Sequence, residues 1–137
     1  MSDDLTARLA ALNDSAAFNR WAGFRVVAAK EGEVELELPW RAEFGQYAGF
    51  LHASLVSGLI DTACGFAAAS IVGRVLASHV AVNFMAPAVG RSFLARGQVV
   101  RAGRRQVFAR AELFAMNEAG DSKLVATGET LLMRDGA

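Results

Sequence analysis

Residues 51–73 read LHASLVSGLIDTACGFAAASIVG, and the fold turns on how this stretch is interpreted. From Phe44 to Gly73, thirty residues carry one formal charge, Asp61. The apolar run has nearly the length of a membrane span, about 20 residues. An aspartate near its middle costs about 2.5–3.5 kcal/mol on insertion scales. His52, Ser54, Ser57, Thr62 and Ser70 dilute the run further. No other segment resembles a span. The reading is therefore a helix over about Ala53–Val72, buried inside a soluble protein and apolar on nearly all sides. Gly73 suits the position after its C-terminus, where glycine tolerates the left-handed conformation.

On the N-terminal side, residues 3–19 predict a helix capped by Ser2 or Asp3, with Leu5, Leu9, Leu12 and Phe18 on its apolar face. A strand over about Arg25–Ala29 and the turn Glu31-Gly32 follow. In Glu33–Leu38, Val34, Leu36 and Leu38 alternate with three glutamates, so one face is buried and the other wet. Residues 40–51 form a loop containing Gly45 and Gly49. On the C-terminal side, the segment up to Pro87 has two faces. Leu76, Ser78, Val80, Val82 and Phe84 lie on one, and Ala77, His79, Ala81, Asn83 and Met85 on the other. Three long strands come next: Phe93–Arg101, Arg104–Met116 and Ser122–Met133. The tail Arg134–Ala137 reads as loose. Short turns imply antiparallel pairing, and one apolar helix facing such a sheet is an α+β layer arrangement.

The chain has 137 residues, the size of one domain. Fourteen basic and fourteen acidic side chains give a formal charge of zero, and 53% of residues are hydrophobic. This excludes disorder and gives no general basic character for nucleic-acid binding. One cysteine, Cys64, excludes a disulfide scaffold and fits a reducing, cytoplasmic compartment. No Cys/His cluster signals a metal, and the N-terminus lacks a signal-peptide pattern. The apolar surplus predicts a subunit interface.

Asp61 is the candidate for chemistry. A carboxylate in an apolar helix is desolvated, which raises its pKa and prepares it as a general base or nucleophile. The alternative is a buried aspartate satisfied by a neighbouring amide. His52 stands at the loop-to-helix junction, where free amides and the positive end of the dipole can polarise a carbonyl oxygen. It either supports that site or simply caps the helix. The two residues are 61 − 52 = 9 apart. Nine helical residues are roughly 13.5 Å along the axis and about 180° around it. One carbonyl therefore cannot meet both within one chain. A common site takes Asp61 from one subunit and the helix N-terminus from another, in a two-fold pair. Cys64, Ser57 and Ser54 form no nucleophile–base arrangement legible in the sequence, and His79 reads as a sheet-surface residue.

These residues carry a family resemblance. In hotdog-fold acyl-CoA thioesterases of the PaaI (phenylacetic acid degradation) type, an asparagine lies six residues before a His-Gly-Gly motif, and an acidic residue follows nine after the histidine. This chain holds Gln46, His52-Ala53-Ser54 and Asp61 at those positions. NFMAPA (83–88), GRRQVFARAELF (103–114) and VATGETLLM (125–133) resemble the family's later strands, so the likeness runs from about Phe18 to Met133. It implies a hotdog fold, with a long central helix wrapped by an antiparallel sheet. It implies that Asp61 activates water or attacks the thioester, that the Ala53 amide polarises the carbonyl, that His52 supports the loop and that Gln46 positions water or substrate. Both motif glycines are replaced, and Gln46 is one methylene longer than asparagine. Gly49, Asn83, Met85, Arg101, Arg104 and Arg105 are the expected substrate contacts, the arginines meeting coenzyme A phosphates unless they form only a solvated turn. Coenzyme A enters as part of the substrate, with no separate cofactor or metal. The resemblance further implies a homo-oligomer, commonly a tetramer. A dehydratase or a non-catalytic acyl-CoA-binding or scaffolding protein is the competing reading.

Overall fold

The computed structural model describes residues 2–135. Helices α1 (Ser2–Asp14) and α2 (Ala17–Ala22) precede strands β1 (Arg25–Lys30) and β2 (Glu33–Pro39). A 3-10 turn (Ala42–Phe44) and a loop lead into α3 (Ala53–Val72). Strands β3 (Val75–Phe84), β4 (Ser92–Ala102), β5 (Gln106–Met116) and β6 (Ser122–Arg134) complete the chain. All pair antiparallel in one sheet of order β1-β2-β4-β5-β6-β3. The sheet curls around α3, which is the expected hotdog arrangement.

Strand alternation explains the core. Val34, Leu36 and Leu38 of β2 face α3, as do Phe93 and Ala95 of β4 and Val107, Ala109, Ala111, Leu113 and Ala115 of β5. Glu33, Glu35 and Glu37 face water on the other side, where Arg96 reaches Glu35 at 3.1 Å and Arg25 pairs with Glu37. The glutamates thus form the solvated face that alternation predicts. Helix α3 buries Leu55, Val56, Leu59, Ile60, Ala63, Cys64, Phe66, Ala67 and Ala68. Its length and hydropathy would allow a membrane span, but those apolar side chains are spent on the sheet. Gly73 has positive φ, 84°, but ψ of −146° takes it out of the left-handed helical region expected there and into a conformation that is essentially glycine's alone.

Five details differ from the sequence reading. The N-terminal helix breaks at Ser15-Ala16, where Ala16 is extended and the Ser15 hydroxyl donates to the Leu12 carbonyl at 2.6 Å. Asn13, not Leu12, turns inward and donates to the Phe24 carbonyl at 2.8 Å, leaving Leu12 and Phe18 exposed. The expected Ser2 or Asp3 cap falls outside the described side chains. In β3, a bulge between Ala77 and His79 inserts Ser78. One extra residue exchanges the faces on either side of it, so Leu76 shares its side with His79, Ala81 and Asn83. Arg104 and Arg105 belong to a turn rather than to β5, since the Gly103 N–H donates to the Gln106 carbonyl. Finally, Arg134 is not loose. Its N–H donates to the Arg105 carbonyl, and Asp135 pairs with Arg74 at 3.2 Å. Gly136 and Ala137 lie outside the described residues.

Helix and sheet meet most closely at Gly97, where a Cβ would stand 2.4 Å from the Ala63 carbonyl oxygen. Gly97→Ala must push α3 off β4. It is expected to lower stability by about 1–3 kcal/mol, the usual cost of overpacking, read as an earlier urea-unfolding midpoint. An unchanged midpoint would mean that the helix–sheet distance is not tightly held.

Candidate active site

The site begins in the loop that enters α3. Arg41 anchors the loop's base. Its guanidinium stacks 5.1 Å from the Trp21 ring centre and 4.2 Å from that of Phe44, and Nη1 donates to the Trp21 carbonyl at 2.9 Å. The chain then turns at 46–49, where the Gly49 N–H donates to the Gln46 carbonyl and Gly49 takes φ 86°. The Leu51 N–H ties the loop to Ala88 beyond β3, and the His52 N–H ties it to Phe44.

His52 is the N-cap of α3. Its Nδ1 accepts from the Ser54 N–H at 3.0 Å, and the Ser54 hydroxyl lies 2.8 Å from the same nitrogen. With Nδ1 accepting, the ring carries its proton on Nε2. The His52 carbonyl accepts from Leu55 and Val56. Among the described residues nothing accepts from the Ala53 N–H. Ala53 lines a cleft of about 530 Å³ with Gln46, Tyr47, Leu51, His52, Phe84 and Met85, among others. A free amide at a helix N-terminus is a built-in donor for an oxygen that gains negative charge. Ala53 has ordinary negative φ, so the donor does not need glycine there.

Of the other expected site residues, Met85 reaches this cleft but Asn83 does not. The strand ends at Phe84, and the Met85 and Ala86 amides both turn onto the Val125 carbonyl. Asn83 instead donates to Thr127 at 3.3 Å, in a wider trough of about 910 Å³ across the outer sheet face, among Glu35, Arg96 and Glu112. Gln46 lines the cleft, but its Oε1 accepts from the Ala48 N–H. Its Nε2 is the end left to face a ligand. Gly49 is exposed, outside the cleft lining, and serves the turn. Tyr47, Phe50, Val56, Phe84 and Pro87 also line the cleft. Sequence reading did not single them out, because apolar residues at the ends of a strand and a loop carry no pattern of their own.

Asp61 is not in the cleft. It lies half-buried on the less covered stripe of α3, with Ser57, Gly58, Thr62 and Gly65. Burial raises its pKa above the ordinary 3.8. Cys64 lies fully inside, and burial pushes its thiol up to about 11, so it packs rather than reacts. Arg101, Arg104 and Arg105 stand at the far end of the sheet, beyond the C-terminus of α3. One chain therefore presents the amide donor and the carboxylate on different faces of one helix, as their spacing requires.

The chain resembles known proteins in sequence and in fold. A family model described as the thioesterase superfamily matches residues 48–120, which include the whole of α3. A Halobacterium salinarum protein whose name proposes an esterase is 31% identical over 110 residues, covering 74% of this chain and 72% of the relative. The crystal structure of a thioesterase family protein from Silicibacter pomeroyi superposes with TM-score 0.86 at 35% identity, over 90% of this chain and 92% of that one. The PaaI protein of the E. coli phenylacetic acid degradation operon shares the fold, with TM-score 0.83 at 22% identity over 96% and 92% of the two chains. With its wrapped central helix and the free amide at that helix's start, the chain belongs to the thioesterase superfamily and has the hotdog fold.

Proposed function

We propose that the protein hydrolyses acyl-CoA thioesters to a free acid and coenzyme A, at a site shared between two subunits. The family makes ester or thioester hydrolysis the general chemistry. The observation that carries the finer reading is the Ala53 N–H, unpartnered among the described residues at a helix start that lines the cleft, eight residues before a desolvated carboxylate on the same helix. The thioester oxygen accepts from that N–H, backed by the helix dipole. Asp61 of the other subunit takes a proton from water as the water oxygen attacks the carbonyl carbon. The C–S bond then breaks, and the thiolate leaves and is protonated. Direct attack by Asp61 followed by hydrolysis gives the same products. His52 holds the loop, and Gln46 presents Nε2 to the substrate or water. No resident cofactor is needed, and the reading fits a cytoplasmic enzyme.

The exposed edge of the sheet supports the shared site. Strand β3 leaves one edge unpaired for ten residues, with Leu76 68% and Phe84 57% exposed. It holds no lysine, arginine or proline to discourage pairing. Antiparallel pairing of two such edges about a two-fold axis brings two copies together, and the family resemblance favours further pairing into a tetramer.

Asp61→Asn is expected to lower kcat by at least 100-fold, the lower end for removing a general base, while the oligomer persists. The measurement is thiol release from a panel of acyl-CoA esters. Unchanged turnover by this variant removes Asp61 from the chemistry. Acyl-CoA binding with no thiol release by the parent protein supports the binding-only alternative.

The raised pKa gives a second expectation. Hydrolysis needs ionised Asp61, so kcat/KM rises with pH through a limb above 3.8. The sign for stability is opposite: the folded state holds this proton more tightly, so the contribution falls as pH rises from 3.8 through the raised value. Asp61→Asn should therefore melt no lower than the parent at pH 7, and a clearly lower Tm would indicate a structural carboxylate.

Val80→Lys, on the open β3 edge, is expected to shift the assembly toward monomer by light scattering and to lower activity in a concentration-dependent way. A fully active monomer contradicts the shared site.

A further inference from the structure

Not every glycine in this fold is required by it. Gly97 and Gly128 must be glycine, because a Cβ would stand 2.4 Å from the Ala63 carbonyl oxygen at one and 2.6 Å from the Ala81 carbonyl oxygen at the other. Gly58 is under no such constraint. It lies inside α3 and its φ is not positive. Beyond its own helical turn, a Cβ there would meet one atom, Cζ of Phe24 at 3.9 Å, which is an ordinary contact. Alanine would fit and is the better helix former. A glycine that weakens the helix and relieves no clash leaves room for something outside this chain.

That room lies beside the chemistry. Gly58 precedes Asp61 by 61 − 58 = 3 residues, about 4.5 Å along the axis and about 60° around it. Positions so spaced are neighbours on a helix surface, about 5–6 Å apart at Cβ. Helical side chains lean toward the N-terminus, so Asp61 inclines toward the turn that carries Gly58. Both belong to the half-buried stripe of α3.

The wall behind Gly58 is aromatic. The buried Phe24 ring meets Phe18 edge-on, with ring centres 5.8 Å apart, and Phe18 lies 6.0 Å from Trp21. Phe18 is 52% exposed and Trp21 58%. Apolar surface therefore continues from Gly58 out to solvent. The pantetheine arm of a coenzyme A thioester carries amides, which need polar partners such as Gln46 Nε2 in the cleft. The acyl arm is apolar and matches the aromatic wall. With the carbonyl carbon held at Asp61, the first acyl atoms beyond it fall over Gly58.

We infer that Gly58 sets the acyl specificity of the enzyme: its missing side chain admits acyl groups that are branched or ring-bearing at the carbon beside the carbonyl, packed against Phe24. This inference rests on the thioesterase reading.

The test compares the full-length parent with Gly58→Ala and with Gly65→Ala. The second makes the same change one turn beyond Asp61, where a Cβ would meet only Leu132 at 3.9 Å. kcat and KM are measured with cyclohexanecarbonyl-CoA and heptanoyl-CoA, equal in carbon number but wide and slim beside the carbonyl. Gly58→Ala is expected to lower kcat/KM for the ring substrate about 10–200-fold, the range for one methylene in an apolar pocket. Heptanoyl-CoA should be nearly unaffected, and Gly65→Ala should show no such preference. Both variants should keep the oligomer by light scattering and melt no lower than the parent. Equal losses for the two substrates overturn the inference, as does a parent that rejects the ring substrate or the same selective loss in Gly65→Ala. Dissociation or a lower Tm in Gly58→Ala also overturns it, since the glycine would then serve a helix contact. Calorimetry with the non-hydrolysable thioethers S-cyclohexylmethyl-CoA and S-heptyl-CoA is independent of turnover. Unchanged binding of the ring thioether by Gly58→Ala overturns the inference. Selective weakening of that thioether, in a protein that hydrolyses nothing, keeps this acyl site and removes the hydrolase reading instead.

Discussion

Helix α3 lies so close to the sheet that the Ala63 carbonyl occupies the space a side chain on Gly97 would need. The same closeness recurs at Gly128, where a Cβ would meet Ile60 at 2.7 Å. Everything else follows from this contact. A helix held at backbone distance cannot slide or turn, so its two ends and its single carboxylate keep fixed places in the fold. The N-terminus meets the loop from Arg41 to His52, and the C-terminus meets the β1–β2 turn, where Ser70 accepts from the Gly32 N–H at 2.7 Å.

The burial that stabilises the core also sets the ionisation of the one carboxylate on the helix. Apolar surroundings leave Asp61 without the solvation an ordinary carboxylate has, and raise its pKa. The N-terminus of the same helix is capped incompletely. His52 satisfies the amides of Ser54, Leu55 and Val56 through its ring and its carbonyl, and the Ala53 amide, in a residue that lines the cleft, is left without a partner among the described residues. Full capping would have stabilised the helix further and removed the donor. The exposed β3 edge follows the same logic, since an unpaired ladder is a cost to a lone chain that a second copy relieves.

Much of this was legible in the sequence because it rests on periodicity. Alternation in β2 separated three glutamates from Val34, Leu36 and Leu38, and the structure keeps that division. The lone charge in the apolar helix and the histidine at its start stood out for the same reason. Reading failed where one hydrogen bond overrides a pattern. Asn13 turns inward because it can reach the Phe24 carbonyl. The bulge at Ser78 exchanges the faces of β3, and the bend after Phe84 sends Asn83 and Met85 to different sides. Gln46 lines the cleft, but its side-chain carbonyl oxygen is engaged by its own loop, a contact that spacing does not encode.

The sequence by itself determined that a buried helix would carry one carboxylate, and that this group and the helix N-terminus could not serve one carbonyl within a single chain. Both are consequences of local geometry, the rise and rotation of an α-helix, which need no knowledge of neighbours. Only the tertiary structure decided which amide stays free, which side chains wall the cleft, and that the Phe24 ring stands against Gly58. Those facts depend on strand order and register, set by packing between residues far apart in the chain. No local pattern carries that information.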